Sequence, residues 1–404
     1  MDWSTPSCDI DTEPLHRYHR GGYHPVHLGD CLNNGRYKVL HKLGWGGYST
    51  VWAARDTRSR FLRYVDTTRA DMLLEIKPTL LETTVLRTIA ATPSDQPGYQ
   101  HLMTMQDSFQ ISGPNGTHEC LVLELLGPSV ADLLDAHSCI ERLPGTLAKT
   151  IARQALLGLC VLHEQGIAHA DLHTRNLAFA IPSLQALREE DFLQKLGYPE
   201  TGTVHRKDGQ PLGRGVPRYL VKPTSYPIDI KSSLRSIKIV DFGQSFLSGE
   251  RPGALNTPLP VRAPEIIFRD KVDYRVDLWS MGCLLFELIV GQPLFDSFMT
   301  TPAILVRQML ETVNEDLPDR WKREWDAMKG TGTFSDNSSP CSLQDWREDL
   351  SREDIVRVGA LIGSMLRMEP SARASAKAVV QDAWFQREQL VSKLSVLGID
   401  TETG

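Results

Sequence analysis

The run His169–Asn176 (HADLHTRN) places an aspartate and an asparagine five residues apart, directly after a stretch of helical apolar spacing. Phosphoryl transfer needs a carboxylate that accepts the proton of the attacking hydroxyl, and a further oxygen ligand that holds Mg²⁺. Asp171 and Asn176 supply these two chemical types. The run therefore predicts a catalytic loop, and the competing interpretation is a turn with incidental polar residues.

A second carboxylate ends an apolar strand at Ile239-Val240-Asp241-Phe242-Gly243. An aspartate in this position can bind the Mg²⁺ that bridges the β- and γ-phosphates. Asp-Phe-Gly occurs easily by chance, but here Ala263-Pro264-Glu265 follows, with Glu265 24 residues after Asp241. This order predicts Asp241 as a second Mg²⁺ ligand.

A glycine-rich segment, Leu43–Val51 (LGWGGYSTV), lies nearer the start of the chain and matches the spacing GxGxxSxV. Glycines at such spacing let backbone N–H groups approach phosphate oxygens closely. Taken alone, a glycine-rich hairpin is more often an ordinary turn. It becomes informative only together with the two carboxylate motifs.

The elements that must position these motifs change in type along the chain. Residues 1–36 have no sustained period and are interpreted as an extended lead-in, and alternation from Tyr37 to Trp52 predicts a hairpin. A helix over about Leu80–Ala91 and a strand over Cys120–Leu125 follow. Long helices are predicted next, one over about 147–166 and a buried one over Asp277–Val290, with a polar insert over 182–236 between them.

The predicted fold is therefore α+β and bilobal. A small β-rich lobe spans residues 37–126, a larger α-helical lobe spans 127–386, and a tail spans 387–404.

Composition limits the function classes. The chain has 404 residues, is 41% hydrophobic and carries a net charge of -6, which argues against a direct nucleic-acid binder. Seven scattered cysteines without a CxxC pair argue against a disulfide framework or a zinc site. Without a signal peptide or a membrane-length apolar stretch, we expect a location in the cytoplasm or nucleus.

The motifs stand in the order of eukaryotic protein kinases: glycine loop, catalytic loop, Asp-Phe-Gly, Ala-Pro-Glu and the helix that begins Asp277-Leu278-Trp279. More narrowly, the chain resembles the SR-protein kinases and their fungal relatives. The similar segments are LGWGGYSTVW, Ile111–His118 (ISGPNGTH) and Leu123–Gly127 (LELLG), together with a long insert before Asp241.

The resemblance implies a Ser/Thr protein kinase that uses ATP and Mg²⁺ and acts on Ser or Thr of protein substrates such as Arg/Ser-rich splicing factors. Apart from the resemblance, we expect a monomer. Asp171 is then the catalytic base, with His173 and Asn176 as further catalytic candidates, and Asn176 and Asp241 are the Mg²⁺ ligands. The implied ATP-binding residues are Leu43, Gly44, Gly46, Gly47, Val51, Glu82, Glu124, Leu126 and Asp241. Glu265 would anchor the activation segment on Arg373.

The phosphate-clamping lysine, expected about 15 residues after Val51, is missing, because residues 61–66 read FLRYVD. Lys77 precedes Glu82 by only five residues, which leaves no room for a strand-to-helix connection. Three interpretations stay open. Arg63 or Lys77 replaces the clamp, the protein is a pseudokinase that binds only nucleotide or partners, or residues 55–80 reflect a mistranslated exon boundary.

Other departures from the kinase pattern concern substrate and regulation. His173 stands where a lysine is usual, and the same spelling occurs in small-molecule phosphotransferases, but the Ala-Pro-Glu segment and the Asp277 helix favour a protein substrate. Ala170 replaces an arginine, so activation by loop phosphorylation is not expected. The acidic residues Glu311, Glu315, Asp316 and Asp319 form either a docking face for arginine-rich segments or a solvated face.

Overall fold

The structure is a computed structural model, and it describes residues 5–47, 49–68, 78–137, 142–226, 236–250, 252–296, 300–329 and 349–386. Lys77, part of the predicted insert (227–235) and the predicted tail beyond Gln386 lie outside the described residues.

The strands, in chain order, are β1 (Pro6–Ser7), β2 (Tyr37–Trp45), β3 (Ser49–Asp56), β4 (Leu62–Thr68), β5 (Met105–Gly113), β6 (Gly116–Glu124), β7 (Ile167–Ala168), β8 (Leu177–Phe179), β9 (Thr201–Thr203), β10 (His205–Arg206), β11 (Tyr219–Val221), β12 (Ile237–Ile239) and β13 (Phe246–Leu247).

The helices are α1 (Leu32–Gly35, a single turn), α2 (Pro78–Ala91), α3 (Val130–His137), α4 (Gly145–Glu164), α5 (Pro182–Gln185), α6 (Glu189–Leu196), α7 (Pro264–Ile267), α8 (Arg275–Val290), α9 (Pro302–Val313), α10 (Asp319–Lys329), α11 (Arg352–Met365) and α12 (Ala376–Val380).

The chain folds as two compact units. Unit 1 comprises Met1–Ala91, Met103–Pro128 and Ala178–Leu234. Unit 2 comprises Thr92–Leu102, Ser129–Leu177 and Arg235–Gly404. The lobe boundaries predicted from the sequence counted the insert with the larger lobe, whereas residues 178–234 group with unit 1.

Unit 1 is built on a five-stranded antiparallel sheet in the order β2-β3-β4-β6-β5. The alternation that predicted the hairpin buries side chains on both faces. One face carries the cluster around Tyr37, Trp52 and Val65, and the other carries the cluster around Ala53 and Leu62. Because paired residues in a sheet share a face, the strand register fixes which side chains lie beside the glycine loop.

The N-terminal segment, residues 5–36, belongs to unit 1 and packs within it, so it is not the extended lead-in that the sequence predicted. Strand β1 pairs antiparallel with β10 of the insert. Tyr18 and Tyr23 are buried with Val204 and Leu220, also from the insert. The buried residues of the segment lie mostly outside helices and strands, so they leave no helical or strand period and a periodicity search could not find this packing.

Asn115, from the ISGPNGTH turn, joins this N-terminal segment to the insert. Its Nδ2 donates to the carbonyl oxygens of Tyr23 (2.7 Å) and Gly215 (2.8 Å). The backbone carbonyl oxygen of Asn115 accepts a hydrogen bond of 2.7 Å from the N–H of Gly21. One buried amide therefore satisfies backbone groups from two distant segments.

Unit 2 is mainly helical, and α4 and α8 pack against each other in its interior. Helix α8 is buried nearly all round, as predicted for a central helix. It ends at Gly291, whose φ of 83° is the left-handed conformation that a helix C-terminus favours. Among the described residues, no helix is long and apolar enough to cross a membrane.

Candidate active site

In unit 2, the buried carboxylate of Asp277 shapes the catalytic loop. Asp277 lies in the first turn of α8 and accepts hydrogen bonds from the backbone N–H groups of His169 (2.8 Å) and Ala170 (2.7 Å). The ring nitrogen Nε2 of His163 lies 3.0 Å from the same carboxylate. Ala170 has a φ of 65°, a left-handed conformation that costs a non-glycine residue energy. The bonds to Asp277 stabilise this bend, which lies directly before Asp171.

Asp171 and Asn176 are in direct contact. The Nδ2 of Asn176 donates to the backbone oxygen of Asp171 (2.9 Å) and to its Oδ2 (3.2 Å). The second carboxylate oxygen of Asp171, Oδ1, is buried and has no hydrogen-bond partner among the described residues. Since an unpartnered buried carboxylate oxygen is costly, this atom indicates a ligand or substrate hydroxyl that is not part of the chain.

His173 also belongs to this group. Its Nε2 lies 3.7 Å from Oδ2 of Asp171. Its Nδ1 accepts the N–H of Arg175 at 3.2 Å, so Nε2 carries the proton and faces the carboxylate. His173 therefore orients the loop and adds a polar hydrogen beside Asp171.

Asp241 is brought next to the catalytic loop through the backbone. The N–H of Val240 donates to the carbonyl oxygen of Asn176 (3.0 Å), and the ring of Phe242 packs edge-on against His169. Asp241 is exposed, has a φ of 62°, and accepts the N–H of Gly243 on Oδ1 at 3.2 Å. The loop and the Asp-Phe-Gly turn thus form one site.

The oxygen donors of this site suit Mg²⁺. Asn176 uses its amide nitrogen for Asp171, which leaves its side-chain carbonyl oxygen available as a metal ligand. Mg²⁺ is typically held by one or two carboxylates together with water and substrate phosphate oxygens. Within the described ranges, no group of three His, Cys, Asp or Glu side chains could hold a metal by itself. The oxygens of Asn176 and Asp241 therefore fit Mg²⁺ that is also bound by phosphate oxygens of a substrate.

The segment after Asp241 is anchored by a buried ion pair. Glu265 and Arg373 form two parallel bonds of 2.6 and 2.7 Å, and both side chains are at most 1% exposed. Such two-point geometry is the strong form of an Arg–carboxylate contact.

Two hydroxyls of the same segment hold it against the catalytic loop. Ser245 donates to the backbone oxygen of His169 (3.1 Å), and Thr257 donates to that of Ala170 (2.7 Å). Both side chains are buried, so these hydroxyls have a structural role in the segment.

In unit 1, the glycine loop forms the turn between β2 and β3. The N–H of Gly46 donates to the oxygen of Ser49 at 3.0 Å, and Gly44 pairs with Val51. A Cβ added to Gly44 or Gly46 would meet open space. Packing therefore does not require glycine at these two positions, but free access to the backbone would explain it.

Strand β4 shows which residue stands where the lysine is expected. Val51 pairs directly with Asp66, 15 residues later, so the two side chains share a sheet face. Arg63 pairs with Ala54, so its side chain starts from the opposite face, and its Nη1 donates to Oε1 of Gln185 (3.1 Å). A carboxylate thus occupies the expected lysine position, and Arg63 is committed elsewhere.

The remaining predicted nucleotide residues lie in unit 1. Glu82 is half-buried in α2, and Leu43 packs with Tyr64 on the sheet face that carries Ala53. Glu124 ends β6, and its carboxylate accepts the N–H of Thr104 at 3.0 Å. Leu126 follows it and is half-buried.

The predicted acidic face is partly paired. Glu311 contacts Arg307 (2.8 Å), Asp319 contacts Lys322 (2.6 Å), and Glu315 contacts Arg367. These pairs favour the interpretation of a solvated face.

Sequence reasoning missed the role of Asp277. The signal was present, because an aspartate in the first turn of an otherwise apolar helix needs buried donors.

Comparison with known proteins agrees with this fold. The protein kinase domain family matches residues 222–385. The α+β architecture of the chain, with an antiparallel sheet in one unit and mainly helices in the other, agrees with a protein-kinase fold.

The chain is similar to a serine/threonine protein kinase of Aspergillus fumigatus, with 28% identity over 93% of this chain and 91% of the relative. It is also similar to the serine/threonine-protein kinase SRPK of Physarum polycephalum, with 29% identity over 71% and 68% of the two chains. SRSF protein kinase 3 of Homo sapiens is 37% identical over 43% of this chain and 30% of its own length. The resemblance to SR-protein kinases and fungal kinases is confirmed.

Proposed function

We propose that this chain is a Ser/Thr protein kinase that transfers the γ-phosphate of ATP to Ser or Thr hydroxyls of Arg/Ser-rich proteins. The contact of Asp171 with Asn176, next to Asp241, is the observation that carries the proposal. The names of the relatives support the reaction class, and the name of the human relative supports splicing factors as the substrate class.

Each residue has a distinct part in the proposed reaction. Oδ1 of Asp171 accepts the hydroxyl proton while the hydroxyl oxygen attacks the γ-phosphorus and the bond to the β-phosphate oxygen breaks. Asn176 donates to the other oxygen of Asp171 and so keeps the carboxylate oriented, and His173 lies beside the same oxygen. The backbone of Gly44, Gly46 and Gly47 is proposed to contact phosphate oxygens.

Asn176 and Asp241 would hold Mg²⁺ through one oxygen each. The bound ion would neutralise charge on the phosphates. Asp241 is exposed and therefore available to such a ligand.

The second candidate function is a pseudokinase that binds partners without transferring phosphate. Asp66 is the observation that favours it, because a carboxylate opposite Val51 would repel phosphate where a lysine would attract it. Removing one preorganised charge contact typically costs about 100- to 1000-fold in rate, so slow transfer is compatible with this position.

Transfer of labelled γ-phosphate from ATP with Mg²⁺ to an Arg/Ser-repeat peptide distinguishes the two functions. The wild-type chain is compared with Asp171→Ala, and Asp135→Ala serves as the matched control because that carboxylate is exposed and contacts Arg175 at the surface. We expect transfer by the wild type and the Asp135 variant, and none by the Asp171 variant. Equal background signals from all three proteins would support the pseudokinase for this substrate.

A further inference from the structure

Two side chains of the N-terminal segment contact the glycine loop. Arg17 Nη1 donates to the carbonyl oxygens of Gly47 (2.6 Å) and Gly46 (3.3 Å). The hydroxyl of Tyr23 donates to the same Gly46 oxygen. Arg17 Nη1 also lies 3.0 Å from that hydroxyl. Two consecutive carbonyls of the loop are thus bound from one side by the N-terminal segment.

These contacts fix the direction of a peptide plane. In a trans peptide the C=O of one residue and the N–H of the next point in opposite directions. Because the Gly46 carbonyl is directed at Tyr23 and Arg17, the N–H of Gly47 is directed away from the N-terminal segment. A glycine loop binds phosphate through such N–H groups, while its carbonyl oxygens would repel the same phosphate.

Arg17 is itself held firmly. Its backbone oxygen accepts the N–H of Tyr23 at 2.9 Å. A Cβ on Gly22 would lie 2.0 Å from that oxygen, so only glycine allows this tight turn. Tyr23 is fully buried and packs edge-on against Tyr18, which hydrogen-bonds to the buried Glu13. The backbone that carries Arg17 is therefore fixed by packing and hydrogen bonds.

Ordering a glycine loop costs a large conformational entropy, because glycine is the most flexible residue. A contact that orders the loop before a nucleotide arrives removes part of that cost from the binding step. A guanidinium bound to carbonyls also withdraws their partial negative charge from the phosphate.

We propose that Arg17 and Tyr23 are positioning residues for the nucleotide. They hold the glycine loop so that the Gly47 N–H is directed away from the N-terminal segment and can bind a phosphate oxygen. The proposal rests on the proposed ATP binding. It assigns a specific role to residues 5–36, which the sequence predicted only as a lead-in.

The test uses the full chain and two measurements. Hydrogen–deuterium exchange of the backbone amides in peptides covering residues 43–52 is followed without nucleotide, and the dissociation constant for ATP with Mg²⁺ is measured by calorimetry. The variants are Arg17→Ala, Arg17→Lys and Tyr23→Phe. Arg20→Ala is the matched control, because Arg20 is an exposed arginine of the same segment.

We expect Arg17→Ala to accelerate exchange in the loop peptide and to weaken ATP binding, each about tenfold, as for the loss of a hydrogen bond to a charged group. Arg17→Lys should recover part of both effects, since an ammonium can still reach one carbonyl. Tyr23→Phe should show a smaller change. Peptides from β6 should exchange as in the wild type.

Loop exchange that is the same in the wild type and Arg17→Ala would overturn the proposal. Equal acceleration in Arg20→Ala would also overturn it, since the effect would then follow net charge and not the contact. If the wild type fails to bind ATP, the proposed function and the nucleotide role fail together. In that case the exchange data still decide whether Arg17 orders the loop.

Discussion

At the scale of single residues, the side chain opposite Val51 bears on whether the chain transfers phosphate. The register gives Asp66 this position and places Arg63 on the other sheet face, bonded to Gln185. Arg63 is thus an unsuitable replacement for the missing lysine. Lys77 lies outside the described residues.

Replacing Asp66 tests this assignment. We expect Asp66→Lys to tighten ATP binding and to raise phosphate transfer about 100-fold, because it exchanges a repulsive charge for an attractive one at the same position. Asp66→Asn, which removes the charge and adds none, should give a much smaller gain. The measurements are calorimetric titration with ATP and Mg²⁺ and the peptide transfer assay. Equal affinities for Asp66→Lys and Asp66→Asn would refute the assignment.

At the scale of elements, the β2–β3 hairpin depends on a buried carboxylate at its end. Asp56 accepts bonds from Arg36 (3.2 Å), the N–H of Arg58 (2.9 Å) and Ser59 (2.8 Å). Burial by itself raises the pKa of Asp56, but these donors, led by Arg36, lower it overall from 3.8 to about 2. The donors therefore stabilise the ionised form in the folded state.

The pH dependence of stability follows from this lowered pKa. A carboxylate with a lowered folded-state pKa stabilises the fold above pH 3.8, and that contribution is lost as the pH falls toward 2. We expect Asp56→Asn to be less stable than the wild type at pH 6, and the difference to shrink as the pH falls from about 4 to about 2. Urea unfolding at several pH values measures it. A difference that stays constant with pH would contradict the prediction.

The part of the candidate site that lies in contiguous motifs could be predicted from the sequence. Asp171, Asn176 and Asp241 were found because the loops that carry them have fixed spacings, and the structure brings these three residues together. Their catalytic and metal-binding roles stay predictions. The α+β bilobal fold was also predicted correctly, since long helices and alternating strands leave clear periods.

The contacts of residues 5–36 could not be predicted in the same way. Arg17 contacts Gly47 30 residues later, and β1 pairs with β10 of the insert. The paired strands β1 and β10 have two residues each, too few for an alternation to be recognised. Only the three-dimensional arrangement identifies such pairs.

At the scale of the whole molecule, residues 5–36 are joined to the sheet by a buried ion pair. Lys42 of β2 contacts Glu13, and both side chains are 0% exposed. Burial lowers the pKa of Lys42, although Glu13 opposes this effect. Removing one member of a buried pair leaves the other charge without compensation.

We therefore expect Glu13→Ala to lower the free energy of unfolding by about 3–5 kcal/mol. The double variant Glu13→Leu/Lys42→Met should recover most of it, because neither charge stays buried. Glu189→Ala is the matched control, since Glu189 pairs with Lys38 of the same strand in a half-exposed setting and should cost about 1 kcal/mol or less. Urea unfolding compares the four proteins, and equal losses for Glu13→Ala and Glu189→Ala would contradict the prediction.

The pairing of β1 with β10 has a consequence for synthesis of the chain. Ser7 leaves the ribosome 198 residues before its partner His205. At ordinary elongation rates this interval is about 10 to 40 s. During that time Tyr18 and Tyr23 lack Val204 and Leu220, the residues that cover them in the finished fold. The nascent N-terminal segment therefore exposes aromatic surface that a chaperone could bind until the insert emerges.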